Sequence, residues 1–347
     1  MKKNRIASID TLRIFTILGV ITAHVNTYYG YWNTVNWPEN VKAILNAIAC
    51  LGTPTFFMIS GYLFAQSFAK TNNILATWIK FIKRLSFVFI AWTLIYAIPH
   101  LNATTWVTIK YFGFIHAYFW NLQYITRHPL TFLLTGGTWH LWYIVGSMTG
   151  LTATTFFIHF KQEKLLLYIG LLFYAFSPLI NLYIPPDPNN GYAWSPVIRT
   201  MMSLAPLSIG WWLSSYKKYS PQIAFMLILT GFGFFTFKDT FLFHFFKLNA
   251  SYASFDLLLM AMGLMILALH RPTFASNTVF PYWGQMTLGV FCSHILVLNY
   301  LKDSENFFIP IFSKTIWHIL LPFIVYFLAL AISYTLKNIP LTRRIVY

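Results

Sequence analysis

Uninterrupted apolar runs of about 20 residues recur along the whole chain, and they restrict the fold more than any other feature. Only 9% of the residues are charged and 57% are hydrophobic, whereas a soluble domain carries about 25% charged residues. A membrane β-barrel would alternate apolar and polar residues over segments of about ten. The sequence therefore predicts an all-α polytopic membrane protein.

The apolar runs are bounded by charged residues or by clusters of Pro, Asn and Gly, and they predict about ten transmembrane helices in a single domain over residues 1–347. The helices are expected near residues 11–30, 43–66, 81–99, 137–160, 164–184, 197–215, 221–237, 252–270, 282–301 and 315–336. Residues 100–136 are aromatic but broken by Pro and Gly, which predicts an external loop with interfacial helices. Residues 337–347 are predicted to be a short basic C-terminal tail.

The positive charges predict the orientation of the chain. With the N-terminus in the cytoplasm, fifteen of the 24 Lys and Arg residues fall on the cytoplasmic side, eight fall outside, and Arg13 lies within the first helix. This bias predicts that both termini are cytoplasmic. It also explains the net charge of +16 without a nucleic-acid partner. Cys50 and Cys292 both lie in apolar runs, so neither a disulfide framework nor a cysteine metal site is expected.

The first predicted helix contains a cation and a titratable ring, Arg13 and His24. Ionisable residues inside a span are costly and commonly functional. Arg13 has two simpler explanations, because its side chain can extend to the headgroups or pair with Asp10 one turn away. His24 can equally be a hydrogen-bonded core residue. However, eleven residues at 100° each place the two side chains within about 20° on one helix face, roughly 16 Å apart along the axis.

Other polar residues are predicted at the same depth as His24. His140, His294 and Asp256 fall toward the outer ends of three further helices. If those helices are neighbours, the four side chains line one cavity in the outer leaflet. A metal site is the alternative interpretation, but these residues lack the short spacing that is typical of metal ligands, and no metal is predicted.

Two further segments have both a structural and a functional interpretation. Ser60 and Gly61 follow Pro54 in one apolar run and form a notch of small residues, which is typical of close helix packing as well as of a site. Lys83 and Arg84 lie at the predicted inner end of the third helix. They are explained by topology alone, but they also suit phosphate groups that arrive from the cytoplasm.

Several motifs, in this order and spacing, resemble the acyltransferase 3 family of integral membrane O-acyltransferases. The segment "RIASIDTLRIFTILGVITAHV" is similar to the family's opening, in which an Arg, ten residues and a His correspond to Arg13 and His24. The segments "PTFFMISGYLF", "FIKRLSFVFIAW" and "WHLWYI" also resemble family motifs. The segment "TLGVFCSHILVL" matches a late family pattern at His294 and departs from it at Thr287 and Phe291. The resemblance covers about residues 5 to 335.

The resemblance implies transfer of an acetyl group from cytoplasmic acetyl-CoA to a hydroxyl of a surface polysaccharide or its lipid-linked precursor. It implies a multi-pass protein of the bacterial cytoplasmic (inner) membrane whose partners are membrane lipids and a glycan or lipid-linked sugar. His24 would be the general base, and Arg13, Lys83 and Arg84 would bind CoA. The residues expected to support catalysis or bind the acceptor are His140, His294, Asp256, Ser60, Trp139, Trp142 and Tyr143.

Four alternatives remain open from the sequence. The donor could be another acyl-CoA such as succinyl-CoA, and a covalent acyl-histidine relay would use the same residues as direct transfer. A small-molecule transporter would require discontinuous helix pairs in matching halves or carboxylates near the midplane, and neither is found in the sequence. A non-catalytic scaffold does not explain why Arg13 and His24 share a helix face.

Overall fold

The computed structural model describes residues 5–29, 39–98, 109–110, 113–127, 129–135, 138–183, 200–216, 218–238, 254–303 and 305–346. Within these ranges the regular structure is helical and contains no β-strand. The predicted all-α class is therefore confirmed for the described part of the chain.

Sixteen α-helices are described, and they are numbered in chain order. In the first half they are α1 Ala7–Tyr29, α2 Glu39–Cys50, α3 Gly52–Thr71, α4 Ile74–Tyr96, α5 Phe114–Thr126, α6 Pro129–Thr135, α7 Trp142–His159 and α8 Glu163–Tyr183. In the second half they are α9 Leu204–Leu213, α10 Pro221–Phe237, α11 Phe255–His270, α12 Phe280–Gly284, α13 Thr287–Asp303, α14 Glu305–Phe312, α15 Lys314–Asn338 and α16 Arg343–Val346. A short 3₁₀ turn, Trp139–Leu141, precedes α7.

Three of the described segments are long and apolar enough to cross a membrane, namely Ala7–Asn26, Ile44–Thr71 and Lys314–Asn338. Shorter apolar helices cover Leu204–Leu213, Pro221–Phe237, Phe255–His270 and Thr287–Lys302. These segments support a membrane protein that crosses the bilayer more than once. The number of ten spans and the cytoplasmic location of both termini stay predictions.

Some predicted helix boundaries differ from the observed ones. The helix α10 begins and ends as predicted, whereas α4 begins at Ile74 rather than near residue 81. The side chain of Asn73 caps α4 by accepting a hydrogen bond from the backbone N–H of Ala76 at 2.9 Å. Lys and Arg are good helix formers, so the basic residues of α4 lie inside the helix and do not mark its start.

Two other predicted elements also differ. The single helix predicted for 282–301 is divided, because α12 ends at Gly284 and α13 begins at Thr287. The segment predicted as a basic tail first completes α15 and then folds back as α16, whose Ile345 and Val346 are buried. The indole N–H of Trp92 in α4 donates to the Ile345 carbonyl at 3.0 Å. This hydrogen bond joins the C-terminal segment to the bundle.

The helix α1 lies at the centre of the bundle and contacts α2, α3, α11, α12, α13 and α15. Its Ile17, Ile21 and Val25 are completely buried. The helix that carries Arg13 and His24 therefore packs against six other helices of the bundle.

The helices α3 and α9 approach each other through two glycines. A Cβ atom added at Gly61 would lie 2.1 Å from the carbonyl oxygen of Leu207, and one added at Gly210 would lie 2.0 Å from that of Met58. The backbones therefore pack too closely for any side chain at either position. The packing interpretation of the small-residue notch is correct for Gly61.

We expect Gly61→Ala to lower the midpoint of thermal unfolding, because the methyl group would push the backbones of α3 and α9 apart. Overpacking of this kind costs about 1–3 kcal/mol of unfolding free energy. Gly233→Ala in α10 is the matched control, since a Cβ added there meets no heavy atom within 4 Å. Equal midpoints for the two variants in detergent would contradict the packing described here.

Candidate functional site

His24 in α1 and His294 in α13 form a direct pair. The Nδ1 atom of His24 lies 2.6 Å from the Nε2 atom of His294. The two rings are stacked, with centroids 4.9 Å apart and planes 15° from parallel. The sequence prediction that these two residues share a site is therefore consistent with the geometry.

The hydrogen bonds determine which ring nitrogens carry hydrogen when both rings are neutral. The Nδ1 atom of His294 lies 2.5 Å from the carbonyl oxygen of Phe291, which can only accept. Because a neutral imidazole has one N–H, the Nε2 atom of His294 is the acceptor and the Nδ1 atom of His24 is the donor. The Nε2 atom of His24 is then the nitrogen that carries no hydrogen, which is the form that a general base requires.

His140 completes a cluster of three histidines. It lies immediately before α7 and is 1% exposed. Its ring packs edge-to-face against His294, with centroids 5.2 Å apart. Three of the four polar residues predicted for one cavity thus come together. No group of three His, Cys, Asp or Glu side chains arranged to hold a metal ion is found in the described ranges.

Asp256 does not contact this cluster. Its carboxylate accepts a hydrogen bond from the ammonium group of Lys238 at 2.8 Å, and the same ammonium group donates to Ser254 at 2.9 Å. Asp256 is 4% exposed, so a cation beside it offsets the cost of burying the charge. The expectation that Asp256 lines the cavity with the histidines overlooked Lys238, which follows the neighbouring helix α10.

Arg13 lies at the other end of the same face of α1, where it forms an ion pair. Its guanidinium donates to the Asp10 carboxylate at 2.8 Å, so the local pairing considered from the sequence is present. Arg5 also pairs with Asp10, at 3.6 Å. Two cations share one carboxylate, and the group therefore keeps a net charge of +1 that can attract phosphate.

Aromatic side chains connect Ser60 of α3 with the histidine cluster. The hydroxyl of Tyr143 lies 3.3 Å from that of Ser60. The Tyr143 ring packs against Phe291 at 5.1 Å, and Phe291 packs against His294 at 5.7 Å. Two predicted supporting residues, Ser60 and Tyr143, are thus in contact with each other beside α1.

The remaining predicted residues lie on α4, on α7 and in the 3₁₀ turn that precedes α7. Trp142 packs against Phe57 of α3, with ring centroids 6.0 Å apart. Lys83 and Arg84 lie on the exposed surface of α4. Trp139 begins the 3₁₀ turn before α7, and its side chain lies outside the described part of the structure.

Tyr96, near the end of α4, was missed by the sequence analysis. Its hydroxyl donates to the carbonyl of Cys292 at 2.7 Å and accepts from the backbone N–H of Leu296 at 3.2 Å. The Nε2 atom of His140 lies 3.5 Å from the same Tyr96 hydroxyl, and the His140 ring packs edge-to-face on Tyr96, with ring centroids 5.3 Å apart. The sequence feature that could have indicated this residue is a tyrosine within an apolar run. A buried tyrosine hydroxyl usually has a hydrogen-bond partner.

Comparison with known proteins gives one match. The model of the acyltransferase 3 family, described as an acyltransferase domain, matches residues 6–337. No curated protein and no solved structure matches the chain. The matched range contains both histidines of the His24–His294 pair, together with Arg13 and His140.

Proposed function

The chain belongs to the acyltransferase 3 family of membrane acyltransferases, and on that premise we propose that it transfers an acetyl group from cytoplasmic acetyl-CoA to a hydroxyl of a surface polysaccharide or its lipid-linked precursor. The observation that carries this proposal is the 2.6 Å contact between His24 and His294. This contact leaves the Nε2 atom of His24 in the form that can accept a proton.

The proposed reaction uses His24 as the general base. Its Nε2 atom takes the proton of the acceptor hydroxyl while the hydroxyl oxygen bonds to the thioester carbonyl carbon. The carbon–sulfur bond then breaks, and the sulfur of CoA receives the proton from His24. His294 accepts the N–H of His24 throughout, so it keeps the ring in the required tautomer and orientation, as the partner of a catalytic histidine commonly does.

The donor would approach the Arg13 end of α1. Arg13, Asp10 and Arg5 together carry one positive charge, and Lys83 and Arg84 are further cations that would hold the phosphates of CoA. The separation of Arg13 and His24 along the axis, roughly 16 Å, suits the extended pantetheine arm of this cofactor. In this arrangement the acetyl group reaches His24 while the nucleotide stays at the membrane surface.

The acceptor would approach the histidine end. His140 and Ser60 offer hydrogen-bonding groups, and Trp142 and Tyr143 offer rings that can stack on a sugar. A surface glycan or its lipid-linked precursor fits the predicted outward position of this end in a multi-pass protein of the bacterial inner membrane.

The test is transfer of radiolabel from [acetyl-¹⁴C]acetyl-CoA into the glycan and lipid fraction of membranes that contain the protein. We expect labelling that requires the protein and that mild base removes, because an O-acetyl ester is base-labile. Membranes without the protein are the control, and succinyl-CoA is compared as donor. Absence of protein-dependent label from acetyl-CoA would contradict the proposed donor, and label only in water-soluble small molecules would contradict the proposed acceptor.

For the donor end, we expect Arg13→Gln to raise the apparent KM for acetyl-CoA by about tenfold, since a hydrogen bond to a charged group contributes about 1.5–3 kcal/mol. Arg127→Gln is the matched control, because Arg127 is an exposed arginine that follows α5 and has no part in the proposed donor site. Initial rates of labelling at several acetyl-CoA concentrations measure both variants. An unchanged apparent KM for acetyl-CoA in Arg13→Gln would show that Arg13 does not bind the donor.

A further inference from the structure

The hydroxyl of Tyr96 lies between two backbone groups that normally bond to each other. In a regular α-helix the N–H of Leu296 donates to the carbonyl of Cys292, four residues earlier. In α13 the Tyr96 hydroxyl donates to that carbonyl at 2.7 Å and accepts from that N–H at 3.2 Å, so it is hydrogen-bonded to both ends of one helical turn.

The turn that Tyr96 enters is the turn that carries His294. We propose that Tyr96 is a positioning residue, which ties the turn from Cys292 to Leu296 of α13 to α4 and so places the His294 ring against His24. This inference rests on the proposed function, in which His294 orients the catalytic His24. It adds a residue of α4 that contacts neither CoA nor the acceptor in that scheme.

Three observations support this role. The Nδ1 atom of His294 is bonded to the Phe291 carbonyl at 2.5 Å, so the ring is tied to the backbone of its own turn and follows any shift of that turn. The Tyr96 hydroxyl that donates to the Cys292 carbonyl also lies 3.5 Å from the Nε2 atom of His140. Tyr96 is also only 7% exposed, so lipid or water is not expected to replace its hydroxyl.

We expect Tyr96→Phe to lower the apparent maximal rate of labelling by about 10- to 100-fold, because an ångström-scale displacement of a catalytic group has effects of this size. Without the hydroxyl, α4 no longer holds the turn from Cys292 to Leu296, and the turn with His294 moves. The apparent KM for acetyl-CoA should change little, since the Arg13 end is untouched.

Trp92→Phe is the matched control. Trp92 lies one turn earlier on α4 and also makes a buried hydrogen bond, but to the carbonyl of Ile345 in the C-terminal segment. This variant should lower the thermal unfolding midpoint at least as much as Tyr96→Phe while it retains most of the labelling rate. If the two variants lose rate in proportion to their loss of stability, the positioning role is overturned.

A second measurement does not depend on transfer. Nitrogen NMR of protein labelled with ¹⁵N in its histidine rings, in lipid nanodiscs, reports which ring nitrogen carries hydrogen. We expect the His294 and His24 signals to shift in Tyr96→Phe and to stay in place in Trp92→Phe. Unshifted signals in Tyr96→Phe overturn the inference, whether or not the wild-type protein transfers acetyl groups. Shifted signals in a protein without transfer would support the positioning of His294 and count only against the proposed function.

Discussion

Replacing His24 by alanine is expected to reduce acetyl transfer by about 10²–10⁴-fold, the range that a positioned general base contributes. In the proposed mechanism the His24 imidazole is the one group that takes the proton of the acceptor hydroxyl. Initial rates of labelling from [acetyl-¹⁴C]acetyl-CoA measure the effect in membranes. The apparent KM for acetyl-CoA should stay near the wild-type value, because the donor is held mainly through its phosphates.

His318→Ala is the matched control for His24→Ala. His318 lies in α15, is 1% exposed and does not belong to the cluster of His24, His140 and His294. Its loss removes a buried imidazole of the same size. His318→Ala should therefore lose stability as His24→Ala does, but without the loss of a catalytic group. Near-normal transfer by His24→Ala, with both variants inserted in the membrane at wild-type levels, would exclude His24 as the base.

The sequence predicts best those features that depend on one helix. The shared face of Arg13 and His24 follows from helical periodicity, and the ion pair of Arg13 with Asp10 follows from a spacing of three residues. The boundaries of α10 are likewise predicted, because Pro221 follows a helix-capping serine. These features need no knowledge of neighbouring helices.

Features that depend on how helices pack are predicted less well. His294 and His140 were grouped with His24 on depth alone, and the same criterion placed Asp256 with them. Depth does not say which helices are neighbours, and α11 packs against α10, where Lys238 pairs with Asp256. A residue at the right depth can thus belong to a different contact.

Tyr96 was not predicted, because its contacts also depend on how helices pack. Its partners, Cys292 and Leu296, are about 200 residues away in the chain and are backbone groups. No sequence motif predicts such a contact, because every residue type has a backbone carbonyl and every type except proline has a backbone N–H. The contacts of Tyr96 exist only because α4 and α13 are neighbours in the folded protein.

His294 is expected to show the second largest effect. His294→Leu should reduce transfer by about 100-fold, because the N–H of His24 would then face an apolar group and the His24 ring would lose its fixed tautomer. His294→Gln should retain more activity than His294→Leu, since the amide oxygen of glutamine can reach the position of the Nε2 atom and accept the same hydrogen. Labelling rates of the two variants and the wild type, measured at saturating acetyl-CoA, give the comparison.

This pair of variants also separates the two possible roles of the histidines. If His294 were the base and His24 only its support, glutamine at 294 would be as inactive as leucine, because an amide does not take up a proton at neutral pH. Glutamine at 24 would then be the tolerated change. Since the His294 Nε2 atom already accepts the N–H of His24, its lone pair is occupied and cannot receive the acceptor's proton without breaking that contact. The order of activity wild type, then His294→Gln, then His294→Leu, with His24→Gln inactive, is therefore the result that the hydrogen-bond geometry requires.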